Sequence, residues 1–405
     1  MTGPSGQAGL LDGVTVLDFT RVLAGPYCTR LLGDLGARII KIERPGEGDE
    51  MRKSHLQLDE SRADQSTYFV RLNAGKWGVG IDLTHREARA VVLDLIDHAD
   101  VVVENFLPGV MAKLGYDHAT LRAVKPPLVY CSISGYGQTG PWSQRPAFAH
   151  IVHAVSGLMH LERAPGADPR VSYLQTADVL AGTLAFGAIV AALLRRERTG
   201  IGGFVDVSML QALVAAEDLT YGSVLNGGDE VSGPRPGMMV HGIGGRYLAL
   251  QIVGAADLWP RLVNALECPE LETDPRFATP QARRAHWVEL QPIIADLLTR
   301  FPTVDAALET LTAARVPCAP VLSPTETVAL AQLEARAAFP CVPHPTRGAV
   351  RVTATPFHLD GHAVAPRGGA PYRVGEDTRT VLRDVLGYDA GRIEKLSTLG
   401  VIEEP

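Results

Sequence analysis

Residues 174–210, LQTADVLAGTLAFGAIVAALLRRERTGIGGFVDVSML, combine an acid, a long apolar segment, a basic end and a strand-like end. From Val179 to Leu194 the residues are apolar or small with a single threonine, and this predicts a helix buried on all sides. Gly182 and Gly187 would let other backbone approach this helix closely. The rest of the fold is expected to form around it.

The two ends of this helix carry its polar residues. Arginines at 195, 196 and 198, followed by Gly200, predict the C-terminus. Asp178 then lies at the N-terminus, where the helix dipole favours a carboxylate. Two interpretations of Asp178 are open: it is an N-cap, or it is a working carboxylate at the start of a buried helix.

The composition is typical of a globular protein with two domains, since 405 residues exceed one ordinary core. The net charge of −7, without a long basic block, argues against nucleic-acid binding. The N-terminal residues do not resemble a secretory signal, and the apolar helix is short for a membrane span. Five scattered cysteines without a CxxC pair indicate reduced thiols in the cytoplasm and no metal site.

Alternating strand and helix patterns predict a doubly wound, Rossmann-like α/β domain over residues 1–221. Its first unit is a strand at 14–19, a helix, and a strand at 37–43. The intervening loop lacks GxGxxG, which weakens the alternative of an NAD-dependent enzyme. Ligands of such sheets bind beyond the carboxyl ends of the strands. The polar or aromatic residues expected there are Arg21, Arg44, Asn105 with Phe106, and residues 134–138.

The remaining patterns complete the domain prediction. Residues 84–87 match a capping box that opens a helix ending near His98. Residues 222–236 are rich in Gly, Pro and polar residues and are predicted to be a linker. Residues 237–324 are predicted to form a smaller α+β domain. Residues 325–405 are predicted to be a second linker and a C-terminal tail that returns to the large domain.

Several stretches, in order along almost the whole chain, resemble CoA-transferase family III, the family of formyl-CoA transferase and alpha-methylacyl-CoA racemase. They are LDGVTVLDFTRVLAGPYCTRLLGDLGARIIKIERPG, NAGKWGVGIDL, DVVVENFLPGVMAKLG, SISGYGQTGP, SGLM, the stretch quoted first, RVPCAPVLSP and YRVGEDTRTVL. The resemblance implies transfer of CoA from an acyl-CoA to a free carboxylic acid. It also implies coenzyme A or acyl-CoA as a substrate, with no metal and no NAD, and an interlocked homodimer.

Asp178 falls on the aspartate that is the nucleophile in the transferases of this family. The resemblance therefore implies mixed anhydride and aspartyl-CoA thioester intermediates on Asp178. These intermediates require oxyanion stabilisation and exclusion of water. Gly244 and Gly245, within residues 242–245, are candidates for a mobile loop over the site, and the alternative is a plain turn.

Further residues are assigned to substrate binding by their positions in the family motifs. Those expected to bind CoA, whose phosphates need cations, are Val22, Arg44, Asn105, Phe106 and Lys113, with Arg21, Lys76 and Met111 as additional candidates. Leu23 replaces a glutamine that helps formyl-CoA transferase to hold its small substrate. This replacement indicates an acyl group larger or less polar than formate or oxalate. Gln138 is a candidate for a polar contact instead.

Two alternative functions are kept beside the transferase. The first is a 2-methylacyl-CoA racemase, which needs a histidine ahead of the Ser-Gly that precedes the aspartate. The corresponding residue is Phe148, which cannot move a proton, although His150 and His153 lie nearby. The second is an acyl-CoA-binding protein without catalytic activity, and the presence of Asp178 argues against it.

Overall fold

A computed structural model describes residues 9–164, 166–217, 219–230, 236–253 and 257–405. Their contacts divide the chain into two compact units. The first unit comprises the described residues of Met1–Met159, Arg170–Glu230 and Gln332–Pro405. The second comprises those of His160–Pro169 and Val231–Ala331, so the first unit is discontinuous in sequence.

The strands of the described residues are β1 Thr15–Asp18, β2 Arg38–Glu43, β3 Trp77–Ile81, β4 Val101–Glu104, β5 Val129–Ser134, β6 Gly203–Ser208, β7 Met238–Ile243, β8 Arg246–Gln251, β9 Cys318–Pro320, β10 Cys341–His344, β11 Gly348–Arg351, β12 His358–Leu359, β13 His362–Ala363 and β14 Ile402–Glu403.

The helices of the same residues are α1 Ala24–Asp34, α2 Thr67–Asn73, α3 Ala88–His98, α4 Val110–Leu114, α5 His118–Val124, α6 Ala149–Val155, α7 Leu158–Leu161, α8 Thr176–Thr199, α9 Met209–Ala216, α10 Thr220–Val224, α11 Leu258–Ala265, α12 Glu270–Thr273, α13 Pro280–Ala285, α14 Trp287–Leu298, α15 Val304–Ala313, α16 Pro324–Val328, α17 Ala331–Ala335, α18 Thr378–Asp384 and α19 Ala390–Thr398. Residues Glu50–Lys53 form a 3₁₀ helix.

The central sheet of the first unit has the strand order β14-β3-β2-β1-β4-β5-β6 in the described part of the chain. Strands β1 to β6 are parallel, and the short β14 is antiparallel to β3. One face packs on a core that includes α3, α18 and α19, and the other on a core that includes α1, α8 and α9. The expected α/β fold with a mostly parallel sheet is therefore confirmed. The strand order reverses between β1 and β4, and doubly wound sheets bind ligands in the crevice at this point, beyond the carboxyl ends of the strands.

The second unit contains the antiparallel sheet β7-β8-β9. Helices α11, α14 and α15 bury their apolar faces against it. The sequence predicts a small α+β domain at 237–324, whereas the contacts of this unit also include residues 160–169 and extend to Ala331.

Helix α8 has one buried face, so the prediction of burial on all sides is wrong for the single chain. Its buried residues are Gly182 and a row spaced by four that consists of Ala177, Ala181, Ala185, Ile189 and Leu193. The opposite face, also apolar, is exposed and consists of Thr183, Leu184, Gly187, Ala191 and Leu194. In the described chain this helix is the one with the length and hydropathy of a membrane span, a property that core helices of soluble proteins share. Its end is as predicted, because Gly200 has φ +70° and caps the last turn.

One local prediction is wrong. Thr84 does not open a capping box, because its hydroxyl and amide both donate to Asp82 and α3 begins only at Ala88. The linker at 222–236 stays a prediction, and its first residues belong to α10, which extends from Thr220 to Val224. Residues 231–235 of that segment lie outside the described residues.

Candidate active site

The loop after β1 meets the end of β4 at the crevice. The backbone N–H of Arg21 donates to Asn105 Oδ1 at 2.9 Å, and Asn105 Nδ2 donates to the Arg21 carbonyl at 2.8 Å. The Arg21 guanidinium lies 5.3 Å from the centre of the Phe106 ring. The structure therefore brings together Arg21 from one strand end with Asn105 and Phe106 from another, as the sequence predicts. This is the placement expected where neighbouring parallel strands end.

The same loop has an unusual backbone at Val22, whose φ is +68°. A β-branched residue rarely adopts this left-handed conformation, so its surroundings must hold it there. The Val22 N–H donates to Asp49 Oδ1 at 3.3 Å. Leu23, the next residue, is buried and immediately precedes helix α1.

Asp178 lies in the first turn of α8, at the third helical position. The N-cap is Gln175, so the interpretation of Asp178 as an N-cap is wrong. Burial raises the pKa of the Asp178 carboxyl to about 6, and hydrogen bonds from the Ala24 and Asp178 backbone N–H groups partly oppose this shift. The carboxylate is thus poorly solvated and bound by amide donors, an environment suited to a reacting group.

Helix α8 lies close against the start of α1. A Cβ on Gly182 would stand 2.5 Å from the Ala24 carbonyl oxygen, so only glycine fits there. The expected close approach at Gly182 is confirmed. A Cβ on Gly187 would meet nothing within 4 Å, so the same expectation for Gly187 is wrong in the single chain.

Lys76 has a structural environment that argues against binding a phosphate. It is buried, and its ammonium donates to Asp18 Oδ2 at 3.0 Å, Thr29 Oγ1 at 2.8 Å and the Pro26 carbonyl at 3.1 Å. An ammonium has three protons, and these three contacts use all of them. Met111 is also buried, within the core beside Tyr116.

Besides Arg21, two further cations predicted to bind CoA are at the surface. Lys113 is exposed in the last turn of α4. Arg44 follows β2 and forms an exposed ion pair with Glu47 at 3.3 Å. Exposed pairs of this kind contribute little to stability, so Arg44 can exchange its partner at small cost.

Gln138 follows β5 at the same edge of the sheet. Its backbone N–H donates to Asp206 Oδ2 at 3.0 Å. Its side-chain Nε2 is buried and has no hydrogen-bond partner among the described residues. A buried donor without a partner is costly, and a polar group of a bound substrate would satisfy it.

The histidines relevant to a racemase lie beside the start of α8. His153 Nε2 accepts the N–H of Ala177 at 3.3 Å, and His150 Nε2 is 3.4 Å from Gln175 Nε2. The His153 nitrogen therefore binds an otherwise unpaired helix amide, which is a structural role. Phe148 precedes α6 and is 66% exposed.

Gly244 and Gly245 form the two-residue turn between β7 and β8. Their φ values of +57° and +84° are typical of a tight hairpin turn. The plain-turn interpretation describes this geometry. Movement of the turn over Asp178 stays a prediction.

Two acidic residues at the site were not identified from sequence. Glu104 is the last residue of β4, and its carboxylate accepts the Phe106 N–H at 2.8 Å. Burial raises the pKa of Glu104 to about 7. Asp49 is the second of these residues; it is buried and accepts the Val22 N–H. The position of Glu104 at the end of a strand could have identified it from the sequence. The burial of Asp49 leaves no pattern in the sequence that could have done so.

Comparisons with known proteins agree on one family. The family model described as CoA-transferase family III matches residues 11–378. Succinyl-CoA:glutarate CoA-transferase of Mus musculus is 34% identical over 404 residues, which cover 97% of this chain and 90% of the mouse protein. Acetyl-CoA:oxalate CoA-transferase of Acetobacter aceti is 36% identical over 341 residues, which cover 83% of this chain and 86% of that protein.

Solved structures show the same fold. The crystal structure of Rv3272 from Mycobacterium tuberculosis, in an orthorhombic form, has a TM-score of 0.82 and 30% identity, covering 92% of this chain and 99% of that one. A CAIB/BAIF family protein from Brucella suis has a TM-score of 0.80 and 29% identity, covering 94% of this chain and all of that one.

Proposed function

The chain belongs to CoA-transferase family III and is an enzyme of that class, and from this premise we propose that it transfers CoA through covalent intermediates on Asp178. The observation that carries the proposal is the environment of this carboxyl. It lies in the first turn of α8, partly buried, with the N–H groups of Ala24 and of Asp178 as donors.

The proposed reaction has two symmetrical halves. The Asp178 carboxylate attacks the acyl-CoA carbonyl, which forms a mixed anhydride and expels CoA thiolate. The thiolate attacks the Asp178 carbonyl carbon, which forms an aspartyl-CoA thioester and releases the donor acid. The acceptor carboxylate then attacks this thioester, giving a second anhydride, and the returning thiolate forms the product acyl-CoA and frees Asp178.

Backbone donors at the start of α8 suit this chemistry. Each attack on an aspartyl or acyl carbonyl places negative charge on an oxygen, and fixed N–H groups stabilise it without reorganisation. Ala24 supplies such a group from the neighbouring helix. The partial burial of Asp178 also limits the access of water, which would hydrolyse the anhydrides.

CoA is proposed to bind along the crevice at the carboxyl ends of the strands. Phe106 and the Arg21 guanidinium above it offer a flat surface for the adenine ring. Lys113 and Arg44 are exposed cations that would pair with phosphates. Val22, in the loop after β1, and Asn105, after β4, complete this surface. Lys76 and Met111 are buried and would support the surface without contacting CoA.

The acids are proposed to be short dicarboxylates. The names of the mouse and Acetobacter relatives pair succinyl-CoA with glutarate and acetyl-CoA with oxalate. Leu23, in place of a polar residue, favours the longer of these chains, and Gln138 Nε2 is available to bind a polar end group. A panel of succinyl-CoA and acetyl-CoA, each with oxalate, glutarate and monocarboxylic acids, tests this choice. A preference for monocarboxylic acids would contradict it.

The protein is also proposed to act in the cytoplasm as a homodimer. The apolar face of α8, with Leu184 and Leu194 about half exposed, supports self-association, because a contiguous apolar surface is typical of an interface.

The test of the nucleophile is Asp178→Ala. Transferase activity should fall by at least about three orders of magnitude, because no other group can carry the intermediates. In the wild type, an acyl-CoA followed by hydroxylamine should leave a hydroxamate on the peptide that contains Asp178, detected by mass spectrometry. Asp168→Ala, at an exposed aspartate nearby in sequence, is the control and should keep activity. Full turnover by Asp178→Ala would refute the covalent mechanism.

A further inference from the structure

We propose that Asp49, which belongs to neither the nucleophile nor the CoA surface, is a positioning residue that holds the loop 20–23 so that Ala24 presents its N–H to Asp178. The inference rests on the proposed function of Asp178. It concerns a buried charge cluster, defined as Asp18, Lys41, Asp49 and Lys76, that lies directly beneath this loop.

The loop is attached to the cluster at Thr20 and at Val22, whose backbone is strained. Asp49 Oδ1 accepts the Val22 N–H at 3.3 Å, and Lys41 Nζ donates to the Thr20 carbonyl at 2.8 Å. Asp18 Oδ1 accepts the Thr20 N–H at 2.9 Å and its hydroxyl at 2.5 Å. These bonds fix the backbone on either side of Arg21 and support the positive φ of Val22.

Within the cluster, opposite charges alternate and each is paired. Lys41 Nζ lies 3.1 Å from Asp49 Oδ2, and Lys76 Nζ lies 3.0 Å from Asp18 Oδ2. Burial opposes ionisation of Asp49, but Lys41 and N–H donors outweigh it and hold the pKa of Asp49 below its usual value. Asp49 therefore stays a carboxylate, the form that accepts the Val22 N–H most strongly.

Asp49 is itself fixed from the side away from the loop. Its N–H donates to Glu43 Oε1 at 2.9 Å, and Glu43 forms a buried ion pair with Arg52 at 2.6 Å. The Arg52 guanidinium stacks on the Phe69 ring at 3.8 Å. A rigid support of this kind suits a residue that must hold another in an unfavourable conformation.

Ala24, two residues after Val22, connects the loop to the proposed nucleophile. The Ala24 N–H donates to the Asp178 carboxylate. On its other side, Ala24 packs so closely on Gly182 that no Cβ fits between them. When the loop relaxes, the Ala24 N–H turns away, and Asp178 loses a donor that favours its ionised form.

The first experiment follows the ionisation of Asp178 without requiring turnover. The protein is labelled with ¹³C at aspartate carboxyls, and the Asp178 signal is identified by its absence in Asp178→Ala. In Asp49→Ala the titration midpoint of Asp178 should rise by roughly half to one pH unit. Asp49→Asn keeps an acceptor for Val22 but loses the charge, so it should show a smaller rise in the same direction.

Other titratable groups near Asp178 also affect its titration midpoint, and each is present in every variant compared. They are Tyr27 of α1, Tyr68 of α2, and His150 and His153 of α6. The matched control is Asp34→Asn, which removes a buried carboxylate paired with Arg30 at 2.6 Å in the same helix α1, away from the loop. The control should leave the Asp178 midpoint unchanged. The proposal would be overturned if the Asp178 midpoint rose equally in Asp49→Ala and Asp34→Asn. It would also be overturned if the midpoint rose in neither Asp49 variant.

A second experiment uses the strain at Val22. Asp49→Ala should lower the maximal rate of CoA transfer by about ten-fold or more, since small misplacements near a reacting group have effects of this size. Glycine adopts a positive φ without strain. In a Val22→Gly background, Asp49→Ala should therefore lower the maximal rate of CoA transfer by a clearly smaller factor than it does in the wild type. An equal loss of rate in both backgrounds would mean that Asp49 does not act through Val22.

Turnover by Asp178→Ala would refute the proposed function of Asp178. It would leave the result of the titration experiment valid.

Discussion

Asp178 combines two requirements that oppose each other. Burial raises the pKa of its carboxyl to about 6, which disfavours the charged form. The proposed nucleophile is that charged form, and poor solvation makes it more reactive once it is ionised. The N–H of Ala24 limits the shift and keeps the carboxylate accessible near neutral pH.

The pH dependence of the first half-reaction should report this balance. Below about pH 6 Asp178 is protonated and inactive, so the rate should rise with pH and level off above the pKa. The measurement is the release of CoA thiol in a single turnover between about pH 5 and 8. Circular dichroism at each pH serves as the control for unfolding. A rate that stays constant or falls through pH 6 would contradict the role of the carboxylate.

Single residues at strand ends were predictable from the sequence, and buried residues were not. Asn105 and Phe106 follow an obvious strand, and parallel strands bring such ends together. Lys76 has the same charge as a phosphate-binding lysine, but its partner Asp18 is distant in sequence and meets it only in the fold. Asp49 was missed for the same reason, since burial of a polar loop residue leaves no periodic pattern.

Helix α8 depends on one glycine for its contact with α1. Gly182→Ala would place a Cβ 2.5 Å from the Ala24 carbonyl oxygen, whereas Gly187→Ala would meet nothing. Both changes raise helix propensity equally. Gly182→Ala should therefore be less stable than Gly187→Ala by roughly 1–3 kcal/mol, measured by denaturant unfolding.

The same pair of variants tests the link between packing and chemistry. Gly182→Ala should also lose transferase activity, because separation of α8 from α1 withdraws the Ala24 N–H from Asp178. Equal stability and activity of the two variants would show that the helices are not in close contact. The existence and end of α8 were predictable, but its two faces were not, because small and apolar residues occupy both.

The exposed apolar face of α8 is the surface on which the proposed dimer of the whole molecule rests. Leu184→Arg, at a residue that is 49% exposed, should convert the proposed dimer into a monomer, since a charge is costly in an apolar interface. Multi-angle light scattering after size exclusion is the measurement. Val288→Arg, at a residue 84% exposed on α14 of the second unit, is the matched control and should not change the mass. A wild-type protein that is monomeric would refute the dimer itself.

The architecture was predictable as far as it follows from local patterns. Alternation of strands and helices indicates a parallel sheet, and the structure has one. The membership of residues 160–169 in the second unit was not predictable, since it depends on contacts distant in sequence. The pairing of β14 with β3 has the same origin, because Ile402 pairs with Ile81, a residue distant in sequence.

That pairing has a consequence for synthesis on the ribosome. A chain is made from its N-terminus, and contacts distant in sequence form last. Until Val401 and Ile402 emerge, the edge of β3 keeps unpaired backbone groups, and the apolar positions that those two residues fill stay open. The nascent protein therefore carries an unpaired strand edge from the synthesis of β3 until that of β14, and we expect chaperones that bind exposed strands to engage it during this interval.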